Sequence, residues 1–438
     1  MASFDTSQCS ITCYTPQNIQ AAYDYPTGRR APTGRGQTIV IVDAYATDYE
    51  SATGVALNDD LAAFDSLFGI SAPPGGGVTV VPGPAATCTG DDVGVDCSGD
   101  AAGWAGEIAL DVEYAHAMAP DARIVLASAS SDSNADINAA EAAVLPRYPG
   151  AIVSQSFGSD EAGDYGDPAD ETAMHKIFES ATLRGDTLIA SAGDWGAGNG
   201  DPYVMASYPA SDPLVLSVGG TQGLPYPTGL LNSHNRYGGE EVWNEPQYGD
   251  IATGGAPSVV WKAPIWQYGL TQYSSGSHAM RTVPDVSYDA AVDGGVLTVE
   301  GASVWISGGT SAGSPQWAGI IALADQARAE HGRGGLGLAA VSIYAVSRLS
   351  PSRYRADFHD ITVGNNAQGS GNAPIGSDAV GFNAGRGYDL ATGLGTPDVS
   401  NLIDDLDGGP SGSFPGGSFG GPQGNGHGRG HHWAIPGK

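Results

Sequence analysis

Residues 37–45 read QTIVIVDAY: an unbroken β-branched run that stops at Asp43. A strand with both faces buried has no polar alternation, so the run predicts an interior strand of a parallel sheet. The same type recurs at residues 122–128 (ARIVLAS), 151–157 (AIVSQSF) and 186–192 (DTLIASA). Segments with helical spacing lie between them at 106–119, 135–145 and 171–184, with another at 314–330. Alternating strands and helices predict an α/β fold with right-handed crossovers, a largely parallel central sheet and helices on both faces. Ligands of such sheets bind beyond the carboxyl ends of the strands, which directs attention to Asp43, residues 154–158 and Gly193-Asp194.

The chain has 438 residues, with 18 Lys+Arg against 48 Asp+Glu and a formal charge of −30. That surface repels DNA, RNA and anionic membranes, so nucleic-acid and membrane-surface functions are excluded. Self-repulsion fades only where carboxyls take up protons, which points to an acidic working medium. Charged residues make up 15 % and glycines number 66, the composition of a loop-rich globular enzyme. No apolar run is long enough for a membrane span, and the first residues show no basic segment followed by an apolar one. A processed secreted protein reads this way, and so does a cytoplasmic one. Cys9, Cys13, Cys88 and Cys97 fall in two close pairs without metal spacing, so disulfides in an oxidising, extracellular compartment are expected; of the possible pairings the two local ones are favoured. Residues 1–407 are expected to form one catalytic domain and the Gly-rich stretch 408–438 a disordered tail, whose His427, His431 and His432 stand in a solvated setting. Nothing in the sequence points beyond a monomer.

The sharpest chemical signal is residues 307–315, SGGTSAGSP, directly before a helical run. A small-residue turn at a helix start exposes a hydroxyl and aims backbone N–H groups at a developing oxyanion, which makes Ser311 a candidate nucleophile. No histidine stands in an HG-type segment that could serve as its base, and His116, about 180° from Glu107 on a helix, is expected to face away from it as a packing or surface residue. The helix offers Glu107 and Asp111 instead, at i and i+4 among small apolar residues. Like charges a turn apart can share a proton, a usable acid/base device at low pH. In SAGDWG (191–196) a strand ends in a glycine turn carrying Asp194, and a protonated carboxyl there could donate to an oxyanion.

The GTSxxxP string resembles the serine motif of subtilisin-like peptidases. Taken with the Glu-xxx-Asp helix and the SGDxG-like turn, in that order from about residue 15 to 401, the chain resembles the sedolisin family, the serine-carboxyl peptidases. The resemblance implies a subtilisin-like fold, acid-optimum proteolysis and a secreted enzyme whose amino-terminal prosegment, an inhibitor and folding aid, is absent from this chain. By position it makes Ser311 the nucleophile, Glu107 its general base, Asp111 the partner that tunes Glu107, and Asp194 an oxyanion donor beside the Ser311 N–H. Asp43 stands where some members carry a Glu that extends the carboxyl network. The family's calcium site implies one structural Ca²⁺ held by Asp360, the Ile361, Gly385 and Gly387 carbonyls, and Asp389. Two departures affect the rim of the site: Phe157 replaces a usual Trp and cannot donate its N–H, and Trp195 replaces a usual small Ser. The expectation is therefore an endopeptidase acting on polypeptides. Alternatives are a tripeptidyl-peptidase of the same family, a neutral subtilisin-type enzyme, or an inactive calcium-stabilised scaffold.

Overall fold

A computed structural model describes residues 5–85, 101–161, 168–376 and 379–408. Cys88, Cys97 and the glycine-rich tail lie outside these residues. Cys9 and Cys13 form a disulfide.

The central sheet has eight strands: β1 (Thr38–Ala44), β2 (Thr79–Pro82), β3 (Arg123–Ala129), β4 (Ile152–Gln155), β5 (Thr187–Ser191), β6 (Val215–Gly223), β7 (Glu240–Val242) and β8 (Val286–Asp289). Their order is β7-β6-β5-β4-β1-β3-β2, with β8 also paired to β6, and every pairing except β6 with β7 is parallel. The four runs read from the sequence are β1, β3, β4 and β5, the middle of the sheet. Ile39, Val40, Ile41 and Val42 of β1 are all 0 % exposed, as an unbroken apolar run requires.

The helices that bear on the site are α1 (Leu57–Phe68), α2 (Ala101–Met118), α3 (Asn134–Val144), α4 (Pro168–Leu183) and α5 (Gly313–Glu330). Helices α2 and α3 both pack on β1 and β3, but α2 packs on α5 while α3 packs on α4, which places the two pairs on opposite faces. The steps β2 to β3 and β3 to β4 move across the sheet in the same direction. Crossovers of one hand would leave α2 and α3 on the same face, so one of the two is left-handed, and the expectation of uniformly right-handed crossovers is corrected here. The consequence is functional. Helix α2 lies against α5, the helix that follows Ser311, and the contact is close enough that a Cβ on Gly319 would come within 2.5 Å of Met118 Cβ.

A crossover helix returns the chain antiparallel to the strands, so the first turns of α2 sit at the carboxyl end of the sheet. Glu107 and Asp111 are in those turns. The approach to α5 is a hairpin, Gly295–Glu300 with Ser303–Ser307, whose second strand leads into the Ser311 turn.

Candidate active site

Asp43, near the end of β1, is 0 % exposed, and neither carboxyl oxygen has a hydrogen-bond partner among the described residues. A charge there would be unsolvated, and burial raises its pKa. Asp111, also 0 % exposed, has its pKa raised well above the usual range by burial, with the charges of Asp43 and Glu107 adding to the effect. Glu107, one turn nearer the surface, is half-buried. Burial raises its pKa most; the hydroxyls of Ser311 and Ser156 pull it back as hydrogen-bond donors, while Asp43 and Asp194 push it up. Asp43, Asp111 and Glu107 thus form a line of carboxyls from the core outward, and only the outermost meets the serine.

Ser156, just beyond β4, joins the two sides. Its Oγ lies 2.8 Å from Asp111 Oδ1 and 3.3 Å from the Ser311 carbonyl oxygen, and donates toward both. Two residues earlier, Ser154 Oγ is 2.9 Å from Ser314 Oγ, which fastens the start of α5 to the same strand. Ser311 lies in the single turn Thr310–Ala312 ahead of α5 and is half-buried.

Asp194 reaches the serine turn from the other side. Thr310 donates to its Oδ1 twice, from the backbone N at 2.8 Å and from Oγ1 at 2.7 Å, and Thr310 Oγ1 accepts the Gly193 N–H at 3.0 Å. Gly193 and Gly309 have φ of +102° and +92°, where a side chain is strained, and a Cβ on Gly309 would sit 2.6 Å from Asp194 Oδ2. The two glycines allow the turns to meet, leaving Oδ2 of Asp194 beside the residues that precede Ser311. Burial raises the pKa of Asp194, opposed by the Thr310 amide and hydroxyl. Ala252 N donates to the Asp194 carbonyl at 3.0 Å and holds the turn from outside.

Ser311, Glu107, Asp111, Asp194 and Asp43 are therefore gathered at one end of the sheet. Sequence reasoning marked 154–158 but did not single out Ser156, and it passed over Thr310 inside SGGTSAGSP. Four of the described histidines are engaged elsewhere. His116, fully buried, lies 3.1 Å from Asp65 of α1; His175 Nδ1 is 2.7 Å from Asp212; His331 pairs with Asp407; and His359 stacks on Tyr237. His116 is thus a packing residue and not a surface one. Of the two departures, Trp195 is 50 % exposed at the rim, and half-buried Phe157 lines a cavity beside Ser156.

Away from this cleft, Asp360 and Asp389 converge on one loop. Gly387 N donates to Asp360 Oδ1 at 2.9 Å and Gly385 N to Asp389 Oδ2 at 2.8 Å, while Ala391 N and Thr392 N each donate to Asp389 Oδ1 at 2.9 Å. Ile361, buried, follows Asp360 directly. Among the described residues no group of three or more His, Cys, Asp or Glu is arranged for a metal. The set here has two carboxylates, and its other proposed donors are carbonyls.

A serine turn faced by carboxyls on a subtilisin-like sheet defines a class of hydrolase, and comparison with known proteins agrees. The Subtilase family model matches residues 90–343, more than half of the chain. Kumamolisin of Bacillus sp. (strain MN-32) is 33 % identical over 404 residues, covering 90 % of this chain and 64 % of kumamolisin. Tripeptidyl-peptidase 1 of Rattus norvegicus is 31 % identical over 265 residues, 55 % of this chain and 42 % of its own length. The solved structure of Pseudomonas sedolisin, a serine-carboxyl proteinase complexed with two molecules of pseudo-iodotyrostatin, superposes with a TM-score of 0.69 at 26 % identity, over 91 % of this chain and 99 % of that one. The chain belongs to the subtilase family and, within it, to the sedolisin branch of serine-carboxyl peptidases. It spans less than two thirds of the length of either curated relative named here.

Proposed function

We propose that this chain is a secreted, acid-active endopeptidase that cleaves polypeptides through an acyl-enzyme on Ser311. The observation that carries the reading is the placement of Ser311 between Glu107, which its hydroxyl meets, and Asp194, locked to the neighbouring Thr310. Glu107 takes the Ser311 proton as Oγ attacks the peptide carbonyl, and returns it to the leaving amine; water then repeats the cycle on the acyl-enzyme. Asp111 and Asp43 keep protons in the interior and leave Glu107, reached by the hydroxyls of both Ser311 and Ser156, as the place where a negative charge is best held. Protonated Asp194 donates to the oxyanion together with the Ser311 N–H. The disulfide between Cys9 and Cys13 suits an oxidising compartment. A prosegment acting as inhibitor and folding aid belongs to the same reading.

Asp194→Ala is expected to cost about 2.7–4 kcal/mol in the barrier. Asp194→Asn tests the protonation argument, because an amide donates at every pH. Its high-pH limb should flatten in a pH–rate profile on a denatured protein, and an unchanged profile would remove Asp194 from the oxyanion role. Mass spectrometry of products from an amino-terminally blocked protein separates internal cleavage from release of tripeptides.

We also propose that Asp360, Asp389 and the Ile361, Gly385 and Gly387 carbonyls hold one Ca²⁺. The donors are all hard oxygens, and the two carboxylates meet at one loop, as Ca²⁺ coordination requires. The ion would clamp these loops and take no part in the chemistry. Chelation is expected to lower the melting temperature by several degrees, and added Ca²⁺ to restore it. A melting temperature indifferent to both would overturn the site.

A further inference from the structure

We infer that Glu245 is a positioning residue for the oxyanion side of the site: its backbone is tied to the strand that holds Asp194, and its side chain to the loop that holds the Ser311 turn. The inference rests on Ser311 and Asp194 having the roles proposed above, and it adds the residue that sets one against the other. Glu245 is 0 % exposed, and both of its carboxyl oxygens accept hydrogen bonds. Oε1 accepts the Tyr226 hydroxyl at 2.7 Å and the Asp293 N–H at 3.0 Å, while Oε2 accepts the Val292 N–H at 2.7 Å and the Trp243 indole N–H at 2.8 Å. A buried carboxyl has to be satisfied in this way, and two of the donors that satisfy it are consecutive amides of one loop.

That loop carries the serine turn. Directly before Val292, the Ala290 carbonyl accepts the Gly309 N–H at 2.7 Å, and a Cβ on Gly308 would lie 2.5 Å from the Ala291 carbonyl oxygen, so the two glycines that lead to Ser311 rest on residues 290–291. Trp243, whose indole Glu245 holds, is buried in one cluster with Ala290 and Ala291. The backbone of Glu245 serves the opposite wall. Asn244 and Glu245 pair antiparallel with Ala252 and Ile251. The Ala252 N–H holds the Asp194 carbonyl, the Thr253 N–H donates to the Trp243 carbonyl at 3.1 Å, and the Gly254 N–H donates to the Gly193 carbonyl at 2.6 Å. One residue thus spans from the Asp194 turn to the Ser311 turn. An oxyanion is stabilised only by donors already in place, and a displacement of about 1 Å can cost on the order of 100-fold in rate.

Glu245→Gln keeps the shape and breaks the pattern: whichever way the amide turns, its NH₂ faces the N–H of Val292 or of Asp293, and the loop must shift. On a peptide that the wild type cleaves, kcat should fall about 10- to 100-fold with KM within about twofold. Tyr226→Phe, at a half-buried ring, removes one donor only, and its kcat should fall about 2- to 10-fold. The discriminating probes are a peptide aldehyde with the sequence before the cleaved bond and the matching peptide alcohol. Ser311 Oγ adds to the aldehyde carbon and the former carbonyl oxygen takes the oxyanion position, whereas the alcohol forms no such bond. Both variants should lose affinity for the aldehyde by about the factor lost in kcat and bind the alcohol as the wild type does. A lower melting temperature with both affinities unchanged, or an equal loss of both, would make Glu245 a purely structural residue and overturn the inference while leaving Ser311 as nucleophile. Should Glu245→Gln not fold, Tyr226→Phe decides by the same two affinities. A wild type that binds the aldehyde no more tightly than the alcohol, or a Ser311→Ala variant that binds the aldehyde as well as the wild type, would overturn the nucleophile and this inference together.

Discussion

Ser311→Ala is expected to lower peptide hydrolysis by roughly 10⁴- to 10⁶-fold, the scale seen when the nucleophile of a concerted catalytic group is removed. The fold should survive. Ser311 is half-buried at a helix start, and the contacts that hold its turn come from Thr310, Ser314 and backbone atoms, which the substitution leaves in place. Glu107→Gln should cost a comparable factor, because an amide cannot accept the serine proton, and the double variant should be little worse than either single one, since the two act in one step. The measurement is hydrolysis of a denatured protein from pH 2 to 8, with circular dichroism to confirm folding. The wild type should show a bell: its low-pH limb is the coupled set of Glu107, Asp111 and Asp43 taking up its last proton and its high-pH limb Asp194 losing one, so that the apparent values belong to the set and to no single carboxyl. Retained turnover in Ser311→Ala, or a neutral optimum, would refute the assignment.

Why so much of this site was legible follows from where its residues stand. Asp43 and Gly193-Asp194 punctuate strands buried on both faces, and such strands read as unbroken apolar runs. Glu107 and Asp111 are related by a helical turn, a local relation that spacing reveals. What stayed hidden depends on chain segments far apart. Thr310 grips Asp194 across 116 positions, and Ser156 reaches Asp111 across 45. Strand β6 (VLSVGGTQG) is fully buried, yet its glycines and threonine break the apolar pattern. Gly219 and Gly220 are there because a Cβ on either would meet Pro284 or Ala290 and Trp243 within 3 Å, a tertiary fact with no local signature. The hand of a crossover is likewise invisible to periodicity. Glu141 looks like a helix-surface residue within NADINAAEAAV until α3 is seen packed between α4 and the sheet.

The buried carboxyls also dictate how stability depends on pH. Glu141 is pushed up to about 8 by burial, and Asp325, 4 % exposed, to about 6, by burial opposed by the Leu336 N–H and Arg328; Asp43 and Asp289 are raised by burial as well. A carboxyl whose folded pKa lies above its unfolded value binds more protons in the folded state. Its contribution is complete below the unfolded value near 4 and is lost as pH rises through the folded one. Glu141 and Asp325 alone should cost on the order of 5 kcal/mol between about pH 4 and 8, against the total of about 5–15 kcal/mol that holds a typical domain. Among the buried groups, His359 runs the other way. Burial lowers His359 to about 4, so its contribution is lost as pH falls toward that value. The maximum should therefore lie in mildly acid solution. Urea unfolding at steps from pH 4 to 8, carried out on Ser311→Ala to prevent self-digestion, should show a midpoint that falls steadily above about pH 5. Glu141→Gln should be less steep and, at pH 8, more stable than its parent, because a neutral isostere has no proton to lose. A midpoint that is flat or rises toward pH 8 would mean that these carboxyls find solvent or partners when ionised.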